Sequence, residues 1–249
     1  MPHSNLATTT PHGNSSVERL TIEVDGRPIH CLKAGSGPPV ILVHGGASDS
    51  QDWEETLEAL SHSYTLYAPD MIGYGQSDRT EESYYLSDFV KATQGLIQKL
   101  GLRSIALVGH SLGGRVCLEI AFLSPDVVTG LVLVNTMGFA KVAWWGLFLG
   151  TVAWTVRRIL RRPQPYPKFL TANGEDRNWR CLDRLPSLSV PTLLVSNRRD
   201  PYFSVSGAFK ALKLIPHARL EILPGFGHAP HKQRRESFNN LLLSFLNQA

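Results

Sequence analysis

The chain has 249 residues, of which 43% are hydrophobic and 18% are charged, and its formal net charge is +4. This length suits a single α/β domain, and the hydrophobic content is enough to fill a sizeable core. The positive charge is mild and is not interleaved with aromatic residues, which argues against a nucleic-acid-binding protein. Three widely spaced cysteines, Cys31, Cys117 and Cys181, predict no disulfide framework and favour a reducing, cytoplasmic location.

The predicted elements alternate along the chain. Residues 1–17 are polar and lack the apolar region of a secretory signal, so we expect a disordered tail. The segments 20–24 and 29–32 flank Asp25-Gly26 and predict a β-hairpin. Further strands are predicted at 40–43, 64–68, 104–109, 130–135, 192–196 and 219–223. Helices are predicted near 53–60, 87–100, 204–214 and 232–247, and directly after Ser111. This alternation predicts a parallel sheet with helices on both faces and active residues beyond the carboxyl ends of the strands.

The segment Gly109-His110-Ser111-Leu112-Gly113 stands between a predicted strand and a predicted helix. Its paired glycines permit a sharp turn that lifts the Ser111 hydroxyl out of the sheet at a helix N-terminus. Ser111 is therefore the candidate nucleophile, which needs a neighbouring base to take its proton. An ordinary helix N-cap serine is the alternative.

A base and an acid follow two later strands. His228 comes after the last predicted strand, and imidazole can accept and return a proton near neutral pH. Asp200 comes after the strand at 192–196 and would orient the imidazole. The rivals are His231, at the predicted start of the last helix, and Asp70, which we expect to hold its own loop. The order serine, aspartate, histidine is the order of an α/β-hydrolase triad.

With these motifs and His44-Gly45-Gly46 ahead of them, the chain resembles the α/β-hydrolase superfamily over about residues 20–248. It is most similar to the branch of esterases and C–C bond hydrolases. The resemblance implies a mostly parallel twisted sheet with helices on both faces and a short helical cap inserted after the sixth core strand. The expected division is a tail at 1–17, a core at 18–136, a cap at 137–186 and the rest of the core at 187–249.

The resemblance also implies an oxyanion hole. One donor would be the N–H of Leu112, the residue after the nucleophile, and the second would be the N–H of Gly46. Because Gly45-Gly46-Ala47 departs from a three-glycine loop, Ala47 stays open as the second donor. His44 would anchor this loop.

The cap segment is unusual, because residues 142–156 carry no charge and are rich in tryptophan. The run is shorter than the ~18–20 residues that span a bilayer, so a transmembrane helix is the least favoured interpretation. We favour a cap helix that roofs an apolar pocket, with an interfacial helix as the alternative. The predicted pocket residues are His110, Trp144, Trp145 and Phe148.

The predicted function is a serine hydrolase that cleaves a carboxylic ester with an apolar or aromatic moiety through an acyl-enzyme on Ser111. Two alternatives stay open: a C–C bond hydrolase of ring-cleavage products, with Arg180 as its candidate cationic group, and a hydrolase-fold receptor for a small ligand. The histidines and cysteines show no metal-ligand spacing, so we expect neither metal nor cofactor. The expected partner is an apolar ester substrate, and contact of the cap with a membrane surface belongs to the alternative, interfacial interpretation of that helix.

Overall fold

The computed structural model describes residues 17–78, 84–159 and 181–248, except for the side chains at positions 145, 147, 153, 154, 157 and 158. Residues 1–16 of the expected tail and residues 160–180 of the expected cap, including Arg180, lie outside this description. The domain limits at 1–17, 18–136, 137–186 and 187–249 stay predictions.

Eight strands of the described chain form one sheet. They are β1 (Glu18–Val24), β2 (Arg27–Ala34), β3 (Pro39–Val43), β4 (Thr65–Pro69), β5 (Ile105–His110), β6 (Val128–Val134), β7 (Thr192–Arg199) and β8 (Ala218–Phe226). Their order is β1-β2-β4-β3-β5-β6-β7-β8. β2 pairs antiparallel with β1 and β4, and all other neighbours pair in parallel. This pairing confirms the predicted mostly parallel sheet. Parallel neighbours need helical crossovers, which is why the alternation of strands and helices in the sequence predicts such a sheet.

The described helices follow the predicted alternation. They are α1 (Glu54–Leu60), α2 (Leu86–Lys99), α3 (Leu112–Leu123), α4 (Trp144–Ile159), α5 (Val205–Leu214), α6 (Pro230–Gln233) and α7 (Arg235–Leu246). Helix α4 lies between β6 and β7, which is the predicted position of the cap. Among the described residues, no helix has both the length and the apolar character that a membrane span requires.

Two of the boundaries that differ from those expected frame the loop that carries His228. β8 continues to Phe226, because Phe226 pairs with Arg199 of β7 past a register shift. The last predicted helix is two helices, since Arg234 leaves the helical conformation at φ −135° and its side chain donates to the Pro224 carbonyl over 3.1 Å. The loop that carries His228 is therefore held between the end of β8 and the short helix α6.

Helices cover both faces of the sheet. Successive residues of a strand point to opposite faces. Ile41 and Val43 accordingly pack with Phe89 of α2 on one face, while Leu42 packs with Phe238 of α7 on the other. All five side chains are fully buried. Buried strands with apolar residues on both faces are typical of a parallel sheet, and here they fix the carboxyl ends of β5, β6, β7 and β8 at one edge.

Candidate active site

Ser111 occupies a strained turn between β5 and α3. Its backbone has φ +52° and ψ −111°, outside the conformations that a residue with a side chain ordinarily adopts. The turn is held by its neighbours: Ser111 N–H donates to the Val134 carbonyl over 2.9 Å, and the Ser111 carbonyl accepts from Arg115 N–H over 3.2 Å. The side chain thus stands at the N-terminus of α3, as the Gly-x-Ser-x-Gly pattern predicts.

The flanking glycines are required by close backbone packing. A Cβ on Gly109 would collide with the Gly113 carbonyl, and a Cβ on Gly113 would collide with the carbonyls of Val43 and His44. The turn therefore brings β5, α3 and the end of β3 into direct backbone contact. Any side chain at either glycine would force these elements apart.

Asp200 and His228 form a close pair beside this turn. The Asp200 Oδ2 lies 2.7 Å from the His228 Nδ1, and the Asp200 side chain is 1% exposed. The other oxygen, Oδ1, accepts from the backbone N–H groups of Tyr202 and Phe203 over 2.7 and 3.2 Å. These bonds hold the Asp200 carboxylate in one orientation. Because the carboxylate occupies Nδ1 of His228, Nε2 is the ring nitrogen that is left to exchange a proton with a nucleophile. The His228 ring packs against His110, the chain neighbour of Ser111, with ring centroids 4.7 Å apart.

Both rivals have structural roles. His231 is buried and stacks on Trp53 with ring centroids 4.3 Å apart, and burial lowers the pKa of His231 to about 3. Asp70 is buried and accepts from the N–H groups of Ser50 and Gln76, each over 2.7 Å, and its Oδ2 lies 3.1 Å from the His30 Nδ1. These contacts tie the β4 loop to the core, as expected for Asp70.

The loop after β3 lies beside the start of α3. A Cβ on Gly46 would stand 3.6 Å from the Leu112 side chain. His44 anchors this loop as expected: its Nδ1 donates to the Gly45 carbonyl over 2.7 Å, and its Nε2 accepts from Met71 N–H over 2.9 Å. Ala47 has a positive φ of 78°, which strains the loop at the alternative donor. The oxyanion-hole assignment of Gly46 and Leu112 stays a prediction.

The predicted pocket residues lie in different surroundings. His110 is buried, and burial lowers its pKa well below the ordinary value. Trp144 and Phe148 of α4 are 64% and 56% exposed. The side chain of Trp145 lies outside the described residues. The assignment of these four residues to a substrate pocket stays a prediction.

Helix α4 begins next to the segment that follows Asp200. The N–H of Ala143 donates to the Tyr202 carbonyl over 2.8 Å, and Val142 forms a β-bridge with Phe203. A Cβ on Gly146 would stand 2.8 Å from the Tyr202 ring. The segment that positions Asp200 therefore also holds the start of the cap helix.

Asn135 and Asn197, which were not predicted as site residues, support the loop that carries His228 (the histidine loop). Asn135 directly follows β6, and its Nδ2 donates to the His228 carbonyl over 2.8 Å. Asn197 lies in β7, and its Nδ2 donates to the Gly227 carbonyl over 2.8 Å. The signal that could have found them is an amide side chain that interrupts or ends an otherwise apolar strand at the edge where the site lies.

The sheet order, the strained serine turn and the aspartate–histidine pair at the carboxyl ends of the strands define an α/β-hydrolase type of protein. The family model described as the alpha/beta hydrolase fold matches residues 38–173, which is more than half of the chain. The chain belongs to the alpha/beta hydrolase fold family.

Individual relatives include a methyl ester esterase and a dienoic acid hydrolase. The chain is 29% identical to the pimeloyl-acyl-carrier-protein methyl ester esterase of Nitrosomonas europaea, with 84% of this chain and 96% of the relative covered. It is 25% identical to the 2-hydroxy-6-oxo-6-(2'-aminophenyl)hexa-2,4-dienoic acid hydrolase of Metapseudomonas resinovorans, with 93% and 91% covered. Among solved structures it is similar to a meta-cleavage product hydrolase of Pseudomonas fluorescens, with 25% identity, a TM-score of 0.77, and 92% and 97% of the two chains covered.

Proposed function

We propose that the protein is a serine hydrolase that cleaves a carboxylic ester with an apolar or aromatic moiety. The observation that carries the proposal is the 2.7 Å contact between Asp200 and His228 beside the strained turn at Ser111. A buried carboxylate, an imidazole and a serine on a sharp turn form the arrangement that activates a hydroxyl for acyl transfer. The likeness to a methyl ester esterase supports the same reaction class.

In this mechanism His228 takes the Ser111 proton at Nε2 as the Ser111 oxygen attacks the ester carbonyl. Asp200 fixes the proton on Nδ1 and stabilises the imidazolium that forms. The N–H groups of Leu112 and Gly46 stabilise the oxyanion, each contributing about 3 kcal/mol to lowering the barrier. His228 then protonates the departing alcohol. Water, deprotonated by the same imidazole, hydrolyses the acyl-enzyme and restores Ser111.

Labelling with a fluorophosphonate, followed by a turnover screen, tests this proposal. We expect one phosphonate adduct on Ser111, and turnover of p-nitrophenyl esters that rises with acyl length because a longer chain buries more apolar surface. The matched non-hydrolysable control is the p-nitrophenyl ether. Labelling without turnover of any ester would instead support the receptor hypothesis, and absence of labelling would contradict the mechanism.

C–C bond hydrolysis is the second candidate, and the likeness to a dienoic acid hydrolase favours it. The same serine, histidine and aspartate would serve, but the substrate would need a cationic group to stabilise its dienolate. Arg180, the candidate for that role, lies outside the described residues. A ring-cleavage dienone belongs in the same turnover screen, and faster turnover of the dienone than of every ester would select this candidate.

We also infer a reducing, cytoplasmic location. All three cysteines, Cys31, Cys117 and Cys181, are buried and carry no disulfide. Burial raises the pKa of each thiol, for Cys31 to about 12, so none is poised to react as a thiolate. Unpaired thiols of this kind are ordinary in a reducing compartment.

A further inference from the structure

Helix α4 turns a broad apolar face to solvent. Its exposed large apolar side chains are 43–73% exposed. They are Trp144, Phe148, Leu149, Val152, Val156 and Ile159. At 3.6 residues per turn these six positions fall within an arc of about 140° over roughly 24 Å of helix. A largely apolar face of this size on a protein surface marks a site of interaction.

The chain around α4 is also where its positive charge is concentrated. No aspartate or glutamate occurs between Val127 and Gly174, while six of the 25 lysines and arginines lie there. The rest of the chain has 19 basic residues against 21 acidic ones, so it carries a small negative charge. The stretch of sequence that contains the apolar face is therefore cationic, and the remainder of the chain is not.

We propose that α4 docks the protein onto the surface of an anionic lipid bilayer. An apolar helix face sinks into the boundary between headgroups and acyl chains, and basic residues bind lipid phosphates. A second copy of the chain fits less well, because pairing two such faces would bring together two helices that each carry basic residues and no acidic ones. The apolar side chains on this face are exposed, whereas those of a closed substrate roof would be buried.

The contacts of α4 connect this surface to the catalytic centre. Tyr202 accepts from Ala143 N–H and packs against Gly146 at the start of the helix, and it follows Asp200 by two residues. A docked α4 would hold the edge of the sheet that carries Asp200 close to the bilayer. If the proposed ester hydrolysis holds, an apolar ester dissolved in the membrane is the substrate class that this geometry serves.

Co-sedimentation with vesicles tests the docking without any reference to hydrolysis. We expect binding to phosphatidylglycerol–phosphatidylcholine vesicles, weaker binding at high salt, and little binding to pure phosphatidylcholine. Leu149→Ser should weaken the partitioning roughly tenfold, because it removes one apolar side chain that the bilayer would bury. Lys141→Gln should weaken vesicle binding about fivefold.

The two variants have matched controls elsewhere on the surface. They are Leu123→Ser, at a 61% exposed leucine of α3, and Lys91→Gln on α2, and both should bind vesicles as the native protein does.

Several outcomes would overturn the docking proposal: absence of vesicle binding, equal binding to neutral and anionic vesicles, or equal losses in the variants and their controls. A dimer in solution that Leu149→Ser dissociates, without vesicle binding, would assign the face to a second copy. Circular dichroism of each variant checks its fold. Vesicle binding by a protein that hydrolyses no ester would retain the docking and overturn the proposed function.

A second inference concerns the carbonyl oxygen of His228. It accepts two part-buried hydrogen bonds, from the His110 Nε2 and the Asn135 Nδ2, each over 2.8 Å. The Asn135 Oδ1 in turn accepts from Asn197 N–H over 3.0 Å. Asn135 is 4% exposed and has a positive φ of 42°, a conformation that asparagine tolerates better than most residues. The loop that carries the base is thus fixed from β5, β6 and β7 at once.

We infer that Asn135 is a positioning residue for His228. Displacement of a catalytic group by about 1 Å can cost 10²-fold in rate, so a buried donor that fixes the backbone of the base has a direct effect on turnover. Asn135→Asp tests this role, because the carboxylate keeps an acceptor for Asn197 N–H but replaces the donor to the His228 carbonyl with a negatively charged acceptor.

We expect Asn135→Asp to lower kcat roughly 10–100-fold with KM little changed. The proton NMR signal of the His228 Nδ1–H should shift or broaden as the loop moves. Asn239→Ala removes a similar side-chain hydrogen bond, the 2.9 Å bond from Thr56 Oγ1, and should lower Tm while leaving kcat and the NMR signal unchanged. An unchanged kcat and an unmoved proton signal in folded Asn135→Asp would show that Asn135 has no positioning role.

Discussion

Ser111→Ala should lower ester turnover by about 10⁶-fold while leaving the fold intact, because in the proposed mechanism it removes the oxygen that forms the acyl-enzyme. The Cβ of the alanine occupies the same place in the turn, so the contacts of Ser111 N–H with Val134 and of the Ser111 carbonyl with Arg115 are retained. The measurement is kcat/KM for p-nitrophenyl acetate, with Tm as the check on folding.

Ser61→Ala is the matched control for this variant. Ser61 ends α1, and its hydroxyl donates to the Glu58 carbonyl over 3.0 Å, far from the sheet edge that carries the site. Its loss should cost about 1 kcal/mol of stability at most and leave turnover unchanged. If Ser111→Ala retains more than a few per cent of native turnover, the hydroxyl of Ser111 is not the nucleophile.

The serine turn could be predicted from sequence because its determinants are local. A strand, two glycines at fixed spacing and a following helix are enough to specify the bend, and the steric clashes at Gly109 and Gly113 show why no other residue fits. The same holds for the sheet, whose apolar strands alternate with helices along the chain. The boundary at Arg234 could not be predicted in this way, since the helix breaks where the arginine reaches back to the Pro224 carbonyl.

The support for the histidine loop could not be predicted for a different reason. Asn135 and His228 are 93 positions apart, and the contact joins a side chain to a backbone oxygen. Nothing in the composition of either segment encodes that pairing, which exists only once β6 and β8 are set on either side of β7. The exposed face of α4 is a similar case. Its sequence predicts an apolar helix, but which side of the helix is exposed depends on its packing against Tyr202.

Asp200→Asn should lower turnover about 10⁴-fold while the protein stays folded, and the hydrogen bonds of the carboxylate explain why. Oδ1 of Asp200 accepts from two backbone N–H groups, those of Tyr202 and Phe203. An asparagine must keep its carbonyl oxygen in that position, because its NH₂ group cannot accept. The NH₂ group then faces the His228 Nδ1 and donates to it. This forces the His228 proton onto Nε2, the nitrogen that has to accept the Ser111 proton.

Asp70→Asn provides the comparison that makes this prediction decisive. The side chain of Asp70 is as deeply buried as that of Asp200, at 2% against 1% exposed. It accepts from Ser50 N–H and Gln76 N–H through different oxygens, so an asparagine leaves at least one of these donors unpaired. We expect this change to lower the free energy of unfolding by about 1–3 kcal/mol and to leave kcat of the folded protein close to native. Measuring kcat and urea unfolding for both variants separates the two carboxylates. A greater loss of kcat in Asp70→Asn than in Asp200→Asn, with both variants folded, would assign the orienting role to Asp70.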